Sequence, residues 1–188
     1  MSQVVINQAD IKVVDAIPFH QTGHRLYVTT LTGQQLIDSC TIDHYTSTKA
    51  PSDPTQGYQR PPERSRITRI GTFLIKKSGN GLYPNALLLG SRTPLIFDAV
   101  TRRLQLPEKK GLKVIDGQHR LEGLRYAIEE KGVDTLATME IPVVIMEVVD
   151  RAEELEQFRI INGTAKSVRT DLVNAILTAL AEQQGEET

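Results

Sequence analysis

The sequence predicts a single α+β domain with helices packed on a mixed sheet, and three observations carry this. Strand-like and helical segments mix without the regular strand–helix–strand alternation of a parallel α/β fold. Glu140 to Val149 is apolar, rich in β-branched residues and long enough to run through the centre of a sheet. Lys113 to Ala127 reads as a short buried strand (Val114, Ile115), an Asp-Gly turn and a helix whose Leu121, Leu124, Ala127 and Ile128 share one face. The domain is expected to cover residues 1–184, with a surface loop at 46–63 and a frayed tail at 185–188.

Taken in order, Ile11 to Ala16 is expected as a strand, Gln21-Thr22-Gly23 as a turn, and His24 to Thr30 as a second strand alternating around Leu26 and Val28. Thr32 to Ile37 begins a short helix. The Ser, Thr, Pro, Gly and Asp content of residues 46–63 marks a loop. Glu63 to Lys77 then has helical amphipathicity, with Ile67, Ile70, Phe73 and Leu74 inward and Arg64, Arg66, Arg69, Lys76 and Lys77 largely outward. Ser78 to Gly81 breaks that helix and lacks the Gly-Lys-Ser/Thr ending of a Walker loop. A strand over Asn85 to Leu89 follows, and then a hairpin of Pro94 to Phe97 and Val100 to Leu106 turning near Asp98, which would send Arg102 and Arg103 to opposite faces. Asp150 is placed to cap a helix from Arg151 to about Ile160 that buries Ala152, Leu155 and Phe158. Asn162 would follow that helix, and a last helix runs from about Val168 to Gln184.

The net charge of −1 hides an asymmetry: residues 59–125 hold 14 Lys/Arg against 5 Asp/Glu. Such a block attracts phosphate-rich partners with marked salt dependence. It equally fits a solvated surface whose cations pair with the acidic segments in space. No apolar run reaches the length of a membrane span, and the N-terminus lacks the pattern of a signal peptide. The lone Cys40 excludes an intramolecular disulfide. A cytoplasmic protein without a membrane partner is therefore expected. His20, His24 and His44 have no metal-ligand spacing, so no metal site is expected on them.

The densest polar chemistry lies at the Asp116-Gly117 turn, which delivers Gln118, His119 and Arg120 into the first turn of a helix. Unpaired backbone N–H groups and the dipole favour anions there, and an imidazole with a guanidinium suits a phosphate. The same residues also fit a hairpin turn, or a helix start made polar for capping alone. Gly123, inside a helix where alanine would be better by about 1 kcal/mol, implies close backbone packing.

Asp116-Gly117-Gln118-His119-Arg120 resembles the signature of the DGQHR-domain family, which includes DndB-like DNA sulfur modification proteins. Tyr58-Gln59-Arg60 before a helix, and Phe158-Arg159-Ile160-Ile161-Asn162 with Lys166 and Val168 after it, resemble the family in order and spacing over roughly residues 20–180. The wider resemblance is to the ParB/sulfiredoxin fold. Two departures matter. Sulfiredoxin's catalytic cysteine falls where this chain has Gln118, which is no nucleophile, and ParB's acidic residue before the asparagine is here Ile161.

The resemblance implies a nucleotide-binding protein of a DNA-modification or defence system, taking ATP with Mg²⁺ and acting with DNA and modification partner proteins. Arg60, Gly117, Gln118, Arg120, Asn162 and Lys166 would line the phosphate site. His119 would orient the terminal phosphate, and Asp116 would hold Mg²⁺ or brace the turn; hydrolysis would make it an ATPase. The alternative is a DNA-binding regulator of sulfur-modification genes without catalysis. A ParB-like nuclease comes third, because it needs clustered acids that the basic block lacks.

Overall fold

The computed structural model describes residues 12–49, 56–76, 83, 85–107, 110–148 and 150–164. The expected helix at 168–184, Lys166 and the tail lie outside these residues. The chain groups into two units, Met1–Phe158 and Arg159–Thr188.

The first unit is built on a six-stranded mixed sheet. A hairpin joins β2 (Ile17–Gln21) to β3 (His24–Thr32) through Thr22 and Gly23, whose φ values of 46° and 87° suit a tight two-residue turn. β3 runs antiparallel to β9 (Glu140–Glu147), which is parallel to β5 (Leu87–Ser91). β5 is antiparallel to β8 (Leu112–Asp116), and β8 is parallel to the short β4 (Cys40–Thr41). The order β2-β3-β9-β5-β8-β4 places β9 inside the sheet, as its apolar sequence predicts. A second, three-stranded antiparallel sheet contains β1 (Val13–Asp15), β7 (Arg103–Gln105) and β6 (Ile96–Asp98), in that order.

Thr32 starts α1 (Gly33–Ser39) with a reciprocal cap: its hydroxyl accepts from Gln35 N at 3.2 Å, and Gln35 Oε1 accepts from Thr32 N at 2.8 Å. α2 (Arg64–Lys76) and α3 (Gln118–Arg125) meet at Gly71 and Gly123. A Cβ on Gly123 would lie 2.5 Å from Ile70 Cγ2 and 2.8 Å from Ile70 Cβ, so the close packing read from this glycine is present. α3 continues as a π-helical turn, Tyr126–Glu130. The Arg64 guanidinium lies 5.3 Å from the centre of the Tyr126 ring and pairs with Glu130 at 2.5 Å, tying the start of α2 to that turn. Leu121, Leu124, Ala127 and Ile128 are all buried, and Cys40 is a core residue whose thiol pKa burial pushes up to about 12.

Several expectations need correction. The strand that pairs with β3 is β2; the expected Ile11–Ala16 strand shortens to β1, which joins the other sheet. Arg102 lies in the turn with φ +57°, because Asp98 accepts from Val100 N (2.9 Å) and Thr101 N (3.3 Å) and widens the hairpin loop. Phe73 is exposed, and Gly71 takes the inward place against α3. α4 runs from Arg151 to Thr164, capped by Asp150 Oδ1 on Glu153 N at 3.0 Å, so Asn162 lies within the helix rather than after it. Among its residues of described burial, Glu154 is the buried one, at 0 % exposure, whereas Ala152 is exposed. Of the second unit, Arg159–Thr164 alone is described, as the end of α4.

Candidate functional site

β8 ends at Asp116, and Gly117 turns the chain into α3 with φ +103°. A side chain here would be strained by that φ, and its Cβ would come within 2.8 Å of Leu87 Cγ and 3.0 Å of Arg120 Nη2. Because the capping residue is glycine, no side chain caps α3, and its N-terminus keeps the electropositive character of open amides.

Arg120 is committed elsewhere in the turn. Its Nη1 donates to Asn85 O at 2.6 Å, and its Nη2 to Ala86 O at 3.1 Å and Asp116 Oδ2 at 3.0 Å. These bonds brace the turn against the approach to β5. Gln118 and His119 are half-buried. Burial, and secondly the charge of Arg66, hold the His119 pKa below the ordinary 6.5, while Glu63 acts in the opposite direction. The imidazole is therefore mainly neutral near pH 7, ready to accept as well as donate a hydrogen bond. His44 is among its electrostatic neighbours.

The two histidines come within electrostatic range because β4 and β8 are parallel neighbours and each histidine follows the carboxyl end of one of them. Beyond β4 the edge of β8 is covered by a bridge between His44 and Gln59. Asp43 O accepts from Tyr58 N (2.9 Å) and Gln59 N (3.1 Å), and the Gln59 side-chain amide donates to Val114 O.

A chain of charges holds this covering in place. Lys113 Nζ donates to Asp43 Oδ1 (3.0 Å), Arg92 Nη2 to Asp43 Oδ2 (3.2 Å), Arg92 Nε to Glu154 Oε2 (2.8 Å), and Tyr58 OH to Glu154 Oε1 (2.5 Å). Burial, and secondly the Glu154 hydrogen bond, push the Tyr58 pKa up, so it stays a donor. Beside this completed network, His44 Nδ1, Gln59 Oε1 and Gln118 Oε1 are buried without hydrogen-bond partners.

Residues 14–174 match the DndB family, described as DNA-sulfur modification-associated. The chain belongs to the DndB family. No curated protein and no solved structure matches it.

In this DndB-family chain the structure brings together Asp116, Gly117, Gln118, His119 and Arg120, as one continuous turn must. Arg60 is exposed and follows Gln59 directly. Asn162 is exposed in the described end of α4, which belongs to the second unit. Sequence reasoning missed His44 and Gln59. His44 stands in no motif, and its place depends on the parallel pairing of β4 with β8; Gln59 lies inside the Tyr58-Gln59-Arg60 block, and its burial depends on Val114, 55 residues away. The basic block is partly neutralised in space, since Arg64, Arg92 and Lys113 pair with Glu130, Glu154 and Asp43 from outside it. Arg66 and Arg69 are exposed. Among the described residues, no group of three or more His, Cys, Asp or Glu side chains could hold a metal ion, and no helix is long and apolar enough to cross a membrane.

Proposed function

We propose that this chain serves a DNA-modification system of the phosphorothioation kind by binding a nucleotide, ATP, on a ParB/sulfiredoxin-like fold. The observation that carries the reading is the uncapped start of α3 beside a neutral, half-buried His119 and the cation Arg66. First-turn amides and Arg66 would hold phosphate oxygens, with Arg60 approaching from the loop exit, and His119 would hydrogen-bond the terminal phosphate. Arg120 and Asp116 then act by fixing the turn. Asn162 and Lys166 remain proposed contacts on the family pattern.

The orphaned Gln59 and Gln118 oxygens fit a nucleoside phosphate, whose base and sugar carry donors. Mg²⁺ fits this chain poorly as a resident ion: Asp116 is paired with Arg120, and a protein ligand set is lacking among the described residues. The metal belongs with the nucleotide's phosphates, and no step is assigned to it. Hydrolysis is a second readout rather than a premise.

Calorimetric titration of ATP and CTP, with Mg²⁺, tests the reading. Wild type binds, and Arg66→Ala weakens binding by about 1.5–3 kcal/mol, the range for a hydrogen bond to a charged group. Absence of binding by folded wild type overturns it.

A second reading, a DNA-binding regulator, is favoured by α2, which carries Arg64, Arg66, Arg69 and Lys76 and no acid. It predicts salt-dependent duplex binding weakened by Arg69→Ala without any nucleotide requirement.

A further inference from the structure

Phosphate oxygens accept hydrogen bonds and cannot satisfy another acceptor, so a phosphate alone leaves part of this site unexplained. Gln59 is 0 % exposed, and its orientation is fixed, because its Nε2 donates to Val114 O and a carbonyl can only accept. Its Oε1 therefore stands as a buried acceptor without a donor. Gln118 Oε1, in the first turn of α3, and Nδ1 of His44, on the residue bridged to Gln59, are further buried polar atoms without partners. Buried polar atoms are nearly always paired, and an orphan of this kind is costly unless a ligand or water completes it.

We infer that these atoms form a subsite for an uncharged, hydrogen-bond-donating group of the ligand, with Gln59 as the residue that sets specificity. The inference rests on the phosphate-binding reading and sharpens it. Donors at the start of α3 take the phosphates, while acceptors beside β8 read the nucleoside. The donor is an amino group of the base or a hydroxyl of the sugar, both N–H or O–H groups that a side-chain carbonyl accepts. A site built to accept such a donor discriminates against an analogue lacking it, because the acceptor is then left buried and unpaired.

The test is calorimetry on the full chain with ATP, purine riboside triphosphate (which lacks the 6-amino group), 2′-deoxy-ATP and inorganic tripolyphosphate. Tripolyphosphate is expected to bind at least about tenfold more weakly than ATP, the effect of losing a hydrogen bond to a buried acceptor. Weakened binding of the purine riboside compound identifies the base as the donor; weakened binding of the deoxy compound identifies the sugar. Gln59→Leu closes the gap between ATP and tripolyphosphate. Because Gln59 lies in the interior, Gln118→Leu, at a half-buried helix start, is measured beside it and narrows the same gap. Equal affinity for ATP and tripolyphosphate would overturn the subsite while leaving the phosphate reading standing. So would full retention of the ATP preference in both variants. Failure of both ligands to bind folded wild type overturns the phosphate reading as well.

Discussion

Beside β8 one polar cluster is saturated and its neighbour is not. Lys113, Asp43, Arg92, Glu154 and Tyr58 form a continuous run of charge-assisted bonds, with a carboxylate at 0 % exposure inside it. His44, Gln59 and Gln118 present buried atoms without partners a few residues away in sequence. The difference separates scaffold from site. The first cluster has spent its hydrogen-bonding capacity on holding the segments 43–45 and 57–59 over the edge of β8. The second leaves its capacity unspent, which is where the proposed ligand would bond. Within the turn the same division separates Arg120, bound to two carbonyls and Asp116, from His119, kept neutral and half-buried beside Arg66.

Breaking the saturated side has the largest expected effect. Glu154→Ala strands Arg92 and Tyr58 beside a buried hole and should cost about 3–5 kcal/mol in urea unfolding, the range for removing one partner of a buried pair. By contrast Gln59→Leu, on the unsaturated side, removes an orphan together with the amide's bonds to Val114 O and Tyr58 and should change stability by about 1 kcal/mol. Equal losses would erase the distinction. Gly123→Ala comes next. Its gain in helix propensity is outweighed by overlap with Ile70, for a net loss of about 1–3 kcal/mol in the same assay.

The smallest expected effect is on pH dependence. The folded His119 pKa lies below its ordinary 6.5, so the folded chain binds fewer protons than the unfolded chain. The stability it contributes is complete above the unfolded pKa and is lost as pH falls through the folded one. Wild type should therefore lose melting temperature on acidification below about pH 6.5, and His119→Gln should flatten that slope. Arg66→Gln should raise the His119 pKa part of the way, because burial, the larger cause, remains.

Local chemistry made much of this legible in the sequence. The Asp-Gly turn, the apolar face of α3, the close packing at Gly123 and the central placement of β9 all follow from spacing and residue type. What the sequence concealed depends on residues distant in the chain. Tyr58 meets Glu154 across 96 residues, and Gln59 meets Val114 across 55. A buried glutamate on α4 inverts the amphipathic pattern because its partners come from other elements. Likewise Arg120 looked free for a phosphate because the carbonyls of Asn85 and Ala86 carry no side-chain signature.

The chain's four histidines offer the most direct test, because His44 and His119 belong to the proposed site while His20 and His24 lie on the β2–β3 hairpin. Imidazole NMR signals would be followed through a titration with ATP at fixed pH. Movement of the His44 and His119 signals, with the His119 pKa rising as phosphate charge arrives and the hairpin pair unmoved, is the predicted result. ATP binding that leaves His44 and His119 unchanged would place the nucleotide elsewhere and contradict the account.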